Sequence, residues 1–210
     1  LVVLALALVY LVTHLFGLTK LPIFADEAIY IRWSQLIISD AQQYFLFPIN
    51  DGKTPLFIWM LVPFVKTFLD PLWAGRLLSV IGGLIQVALV ALLLREFGVK
   101  RMGMFVGSLI VIFAPFWFFH HRMVLMDGWL TIWLSLATLA VLRLTTQKQT
   151  WHKIIWLVMG SLAVWAGIMT KVPFVLAIAA LLLLPLRSAS SRSILRNQFA
   201  WVAGIVGVGA

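Results

Sequence analysis

Long apolar runs, separated by short polar stretches, make up most of the chain. A helix needs about 20 residues to cross the hydrocarbon core of a bilayer. Runs of suitable length occupy residues 1–19, 72–94, 102–120, 124–142, 154–170 and 172–187, and a seventh begins near Phe199. The pattern predicts an all-α, polytopic transmembrane helix bundle of about six or seven spans. Residues 1–210 form a single predicted core, and its apolar, uncapped ends indicate a truncated piece of a longer protein.

The segment 20–71 breaks this pattern because polar and charged residues interrupt it. Within it, Pro55 to Phe68 is apolar, but this stretch is only about 14 residues long and contains Pro63. Such a stretch suits a helix lying on the membrane surface better than a helix crossing it. We therefore expect residues 20–71 to form a long external loop with one or two juxtamembrane, interfacial helices.

Composition supports a membrane protein, and the charge distribution gives its orientation. The chain is 63% hydrophobic and 11% charged, with a net charge of +9 and no cysteine. Nine Lys and Arg residues lie in three loops, at 95–101, 143–153 and 187–196, whereas the alternate short loops hold only Arg122 and Lys171. The three basic loops are therefore predicted to be cytoplasmic. The charge excess is a sign of topology, and nucleic-acid binding is disfavoured.

The acidic residues point to the opposite side of the membrane. Asp26, Glu27 and Asp127 lie next to predicted spans in apolar surroundings, where an unpaired acid is costly and is a candidate for function. Two structural interpretations stay open. Asp26 and Glu27 would also suit the start of a helix, and Asp127 would suit a pair with Arg122.

Cations on the same side complete a possible site. Lys53, Arg122 and Lys171, with His121, lie near the predicted external surface. Arg and Lys are the usual donors to phosphate, and a carboxylate beside a phosphate suits removal of a proton from an acceptor hydroxyl. Snorkelling of Lys171 to the interface is the structural alternative.

Four landmarks follow one another along the chain. They are Asp26-Glu27 with Tyr30, Lys53-Thr-Pro-Leu-Phe-Ile-Trp59, Ala74-Gly-Arg-Leu-Leu-Ser79, and Arg122-x-x-x-x-Asp127 followed by Thr170-Lys-Val-Pro173. In this order they resemble the N-terminal membrane core of glycosyltransferase family 39. This family of C-type membrane enzymes includes protein O-mannosyltransferases and lipid A aminoarabinose transferases.

The resemblance implies an inverting glycosyltransferase that uses a sugar on a polyprenyl or dolichyl phosphate. Asp26 would be the catalytic base, with Glu27 beside it and Asp127 as a second acid. The donor phosphate or its cavity would be contacted by Lys53, Arg122, Lys171, Tyr30 and His121. No cofactor would be required. A divalent metal stays open, with Asp26 and Asp127 as its ligands if one is used.

The resemblance also implies the setting of the reaction. The enzyme would be integral to the cell membrane, its active site would be extracytoplasmic, and its acceptor would be a protein or a glycolipid. Two other classes stay open from the residues alone: a polytopic transporter or flippase, and a non-catalytic membrane subunit. A transporter would place ionisable residues near the middle of its spans, whereas the acids here lie at span ends.

Overall fold

A computed structural model describes residues 2–183 of the chain. Within that range the protein is helical, without a β-strand, and this confirms the predicted all-α class. The helices are α1 (Val2–Leu15), α2 (Ala25–Ser39), α3 (Ala41–Tyr44), α4 (Leu56–Thr67), α5 (Pro71–Glu96), α6 (Arg101–Phe113), α7 (Pro115–His120), α8 (Met126–Thr146), α9 (Thr150–Thr170) and α10 (Val175–Leu183), with short 3-10 segments at Phe47–Asp51 and Val172–Phe174.

Three of these helices, α5, α8 and α9, are long and apolar enough to cross a membrane. Helix α5 begins at a strong signal, because Pro71 occupies its first turn and the Asp70 carboxylate accepts hydrogen bonds from the next backbone N–H groups. With 26 residues it is about 39 Å long. Shorter apolar helices cover most of the other predicted runs in this part of the chain.

Two predicted spans differ from the helices observed. The run 102–120 was expected to be one helix, but it is divided between α6 and α7. Ala114 has an extended backbone (ψ 131°) because it precedes Pro115, whose ring disfavours a helical conformation at that position. The run 1–19 is helical only to Leu15, and Gly17 follows with a positive φ of 58°. The run from Phe199 and the last residues of 172–187 lie outside the described residues.

The segment between α1 and α5 contains helices α2, α3 and α4. Helix α4 packs against α2, α5 and α9. Its residues Phe57, Ile58 and Leu61 are completely buried. One face of α4 is therefore part of the protein core, so this helix does not rest on lipid alone.

Helix packing brings the segments that carry the candidate residues together. Helix α8 lies between α5 and α9, and α2 packs on α4. The main core cluster joins these elements through large side chains, among them Trp33 of α2, Leu61 of α4 and Trp129 of α8. As a result, the start of α2 and the start of α8 are held against the same core, and the end of α9 is joined to α8 by the hydrogen bond from Trp133 to Thr170.

Candidate active site

Tyr30 lies within electrostatic reach of three carboxylates, those of Asp26, Asp127 and Asp51. Asp26 and Tyr30 are four residues apart in α2, so both side chains lie on the same face of that helix. The Tyr30 ring is buried and meets the edge of Phe57 in α4, with 5.8 Å between ring centroids. Burial, followed by the charges of Asp26, Asp127 and Asp51, raises the pKa of Tyr30 to about 12. Carboxylates from α2, from α8 and from the 3-10 segment therefore act on one phenol.

The Asp26 carboxylate is available for chemistry. Its residue is half-buried, and among residues 2–183 it has no ion pair. It lies in the first turn of α2, where an acidic side chain interacts favourably with the helix dipole. A partly exposed carboxylate without a competing cation can accept a proton from an incoming hydroxyl.

Glu27, the next residue, is in a different situation because both of its oxygens are engaged. The side chain is completely buried. It accepts hydrogen bonds from the backbone N–H of Phe24 (3.0 Å) and of Val124 (2.8 Å). It also forms a two-point ion pair with Arg76, at 2.9 Å from Nε and 2.7 Å from Nη2. Helix capping, one of the interpretations open from sequence, is therefore observed for Glu27.

Arg76 is an important residue that the sequence-based reasoning did not select. It is completely buried in α5, and besides Glu27 it donates to the carbonyls of Leu18, Leu21 and Pro22. A signal for it was present, because a cation in the second turn of an apolar helix requires an acidic partner. Through this arginine, the segment between α1 and α2 is attached to α5, the longest of the described helices.

Asp127 and Lys171 form the second ion pair of the site. The Lys171 Nζ lies 2.8 Å from Asp127 Oδ1, and the two side chains are 35% and 42% exposed. Nearby, the Trp133 indole N–H donates to the Thr170 hydroxyl (3.0 Å), which joins α8 to the end of α9. The partner of Asp127 is thus Lys171, and the expected pair with Arg122 is not observed. Because the Asp127–Lys171 pair is partly exposed, a ligand can compete for either group.

Lys53 lies just before α4, two residues after Asp51. It is half-buried and has no ion pair among residues 2–183. Its backbone N–H donates to the Pro48 carbonyl, in the turn where Gly52 takes a positive φ of 68°. Asp51, whose charge reaches Tyr30, was not among the predicted site residues, although its proximity to Lys53 was a signal for it.

Arg122 and His121 follow α7 in the chain and pack against the end of α1. Neither residue contacts Tyr30 through a hydrogen bond or an aromatic ring. The Arg122 guanidinium donates to the carbonyls of Thr13 (2.8 Å), Phe16 (2.9 Å) and Gly17 (3.1 Å). It therefore satisfies carbonyls that the helix end leaves free. His121 is buried among aromatic side chains of α1 and α7. A contact of either residue with the donor phosphate stays a prediction.

A metal ion was left open by the sequence. Within residues 2–183, no three His, Asp or Glu side chains are grouped as a metal site. Of the two acids predicted to hold an ion if one is used, Asp127 is paired with Lys171, whereas Asp26 is unpaired in this part of the chain. An ion bound by both acids would therefore compete with Lys171 for the Asp127 carboxylate.

Comparison with known proteins gives one match. Residues 51–199 match the family described as dolichyl-phosphate-mannose-protein mannosyltransferase. This range covers more than half of the chain and includes Lys53, Arg76, Arg122, Asp127 and Lys171. Neither curated proteins nor solved structures give a match.

Proposed function

The chain belongs to the dolichyl-phosphate-mannose-protein mannosyltransferase family of membrane glycosyltransferases, and from this we propose the reaction that it performs. It transfers a sugar from a polyprenyl-phosphate donor to a hydroxyl or phosphate acceptor, with inversion at the anomeric carbon. The acceptor is part of a protein or a glycolipid, and no nucleotide or other cofactor is required.

The observation that carries this proposal is the difference between the acids of the site. Glu27 is buried and bonded on both oxygens, and Asp127 is paired with Lys171. Asp26 is partly exposed, without an ion pair in the described part of the chain, and lies beside Tyr30. A base must have a free lone pair and access to the acceptor, and Asp26 fulfils both conditions. We therefore assign the base to Asp26 and a positioning role to Glu27.

The proposed chemical step is a direct displacement. The acceptor oxygen attacks the anomeric carbon from the face opposite the phosphate, while Asp26 takes the acceptor proton. The bond between the anomeric carbon and the phosphate oxygen breaks, and the electron pair leaves with the polyprenyl phosphate. We assign to Lys53 and Lys171 the stabilisation of the charge that develops on this leaving group.

The orientation in the membrane is part of the proposal. Asp127 lies in the first turn of α8, and Arg143 lies in its last turn. Sixteen residues of helix separate them by about 24 Å. The candidate site and the basic loop that follows α8 are therefore at opposite ends of this helix. If the basic loops are cytoplasmic, as the positive-inside rule predicts, the site is extracytoplasmic in the cell membrane.

An assay of the full-length protein in membranes tests the assignment. Labelled polyprenyl-phosphate sugars are supplied, and transfer by the wild type is compared with transfer by Asp26→Asn. We expect a loss of about 10²–10⁴-fold with an unchanged melting temperature, because the amide keeps the size of the carboxylate but cannot accept the proton. Asp40→Asn is the matched control, since Asp40 is exposed and caps α3, a position that Asn fills equally well.

The same assay separates the proposal from the alternatives. A transporter, flippase or non-catalytic subunit would give no Asp26-dependent transfer of label. Full transfer by Asp26→Asn would show that the base is elsewhere. A loss of the same size in Asp40→Asn would show that the effect is not specific to the site.

A further inference from the structure

Three aromatic residues with polar atoms form a buried cluster apart from the candidate active site. Tyr10 and His14 belong to α1, and His121 follows α7; the exposed fractions of the three residues are 0%, 0% and 1%. Tyr10 stacks on His14 with 3.9 Å between ring centroids, and the centroids of His14 and His121 are 6.0 Å apart. The Tyr10 hydroxyl donates to the Val80 carbonyl of α5 (2.9 Å).

The hydrogen bonds of His14 determine which of its nitrogens is free. His14 Nδ1 lies 3.0 Å from the Tyr10 carbonyl oxygen, which can only accept a hydrogen bond. The Thr13 hydroxyl also lies 3.1 Å from Nδ1, and it can accept from Nδ1 because its own hydrogen is donated to the Val9 carbonyl (2.8 Å). Nδ1 is therefore assigned the proton of the neutral ring, and Nε2 is an acceptor. Nε2 is buried without a protein partner among residues 2–183, and so are both ring nitrogens of His121. Three buried polar atoms of two neighbouring rings thus lack a protein group to bond with, which is costly.

Gly83 of α5 provides the space that this cluster occupies. A Cβ atom at this position would overlap with the Tyr10 hydroxyl and with the His121 ring. The absence of a side chain on Gly83 therefore allows α1 and His121 to approach the same point of α5. The cluster is the place where α1, α5 and the segment after α7 meet.

We propose that a single water molecule binds between His14 and His121 and bridges their ring nitrogens. The water donates one hydrogen bond to His14 Nε2 and forms a second hydrogen bond with a ring nitrogen of His121. Two imidazole nitrogens that share one water at normal hydrogen-bond distances place their ring centroids about 6–8 Å apart, and the observed 6.0 Å fits this range. Buried waters usually fill this role, with about three hydrogen bonds each.

The surroundings favour water over a metal ion. Two imidazoles are also suitable metal ligands, but a buried divalent ion requires compensating charge or further ligands. The nearest charge given by the contacts is the Arg122 guanidinium, which binds the carbonyl of Thr13 beside His14. No carboxylate among residues 2–183 bonds to either histidine. A neutral ligand is therefore the better match.

A double-mutant cycle in the full-length protein tests the proposal. The melting temperature is measured for His14→Phe, for His121→Phe and for the double variant. Each single change leaves the water and the other ring without a partner, whereas the double change removes all of these polar atoms. We expect both single variants to melt lower than wild type, and the double variant to melt no lower than the less stable single variant. His120→Phe is the matched control, since His120 is adjacent but partly exposed, and its variant should melt like wild type.

The proposal would be overturned if the decrease in melting temperature of the double variant equalled the sum of the decreases in the two single variants. Two measurements on the wild type also decide it if a single variant does not fold. A high-resolution density map should contain a peak within hydrogen-bond distance of both rings, and its absence would refute the water. Elemental analysis after purification without chelator should find less than 0.1 equivalent of zinc or copper. A stoichiometric metal that disappears in His14→Phe would replace the water with an ion and refute the proposal.

Discussion

Replacement of Arg76 by Met tests the main structural argument, that one buried ion pair connects α5 to the start of α2. Met keeps much of the arginine's length and fills the space, but it removes every donor. The Glu27 carboxylate would keep only the two backbone N–H donors, of Phe24 and Val124. Three carbonyls between α1 and α2 would lose their partner as well.

The size of the effect follows from burial. Both side chains of the pair are 0% exposed, so water cannot replace the lost bonds without a change in structure. Removal of one partner from a buried pair costs about 3–5 kcal/mol, because the other charge is left uncompensated. For a chain of this size, each kcal/mol lowers the melting temperature by about 2–4 °C. We therefore expect a decrease of roughly 6–20 °C for Arg76→Met.

The assay is thermal unfolding of the purified full-length protein, with Arg32→Met as the control. Arg32 belongs to α2, is exposed, and has no ion pair among residues 2–183. We expect this control to melt within about 2 °C of wild type, as is usual for surface changes. Arg76→Lys should recover little, because an ammonium group cannot reproduce the two-point bond. A melting temperature of Arg76→Met equal to that of Arg32→Met would refute the argument.

Two further predictions concern Gly83 and Tyr30. Gly83→Ala should lower the free energy of unfolding by about 1–3 kcal/mol, and the melting temperature with it, because the new methyl group overlaps with the Tyr10 hydroxyl and the His121 ring. Gly107→Ala should have a much smaller effect, because its methyl group meets only the flexible end of Leu94. Equal melting temperatures for the two variants would contradict this. The pKa of Tyr30, raised to about 12, keeps its hydroxyl protonated below that pH. The rate of sugar transfer should therefore change with pH in the same way between about pH 7 and 10 in wild type and in Tyr30→Phe, whatever the absolute rates. A change in rate with pH that is present in wild type and absent in the variant would show that Tyr30 loses its proton in this range.

The sequence was sufficient for the helical class and for the family, because both depend on local patterns. Apolar runs of span length predicted α5, α8 and α9, and Asp70-Pro71 marks the start of α5. The acid at the start of α2 was recognised as a candidate for both capping and catalysis. What the residues alone could not do was divide these roles between Asp26 and Glu27; only the family resemblance assigned the base to Asp26.

That division depends on a contact between distant parts of the chain. Glu27 and Arg76 are separated by 49 positions, and neither position alone indicates the other as its partner. The same holds for Asp127 and Lys171, which are 44 positions apart. Pairing of charges follows from helix packing, and no periodicity in the sequence encodes it. The break at Ala114, in contrast, was readable from Pro115, but it was hidden within a continuous apolar run.

The two arginines also determine which changes the segment between α1 and α2 can accept. Arg122 binds the carbonyls of Thr13, Phe16 and Gly17, and Arg76 binds those of Leu18, Leu21 and Pro22. All six contacts are to backbone oxygens, which every amino acid supplies. Exchanges at exposed positions such as Phe16 and Leu21 should therefore be tolerated, whereas insertion or deletion of one residue would move the carbonyls away from both guanidinium groups. Related chains should vary here in composition while they keep the number of residues constant.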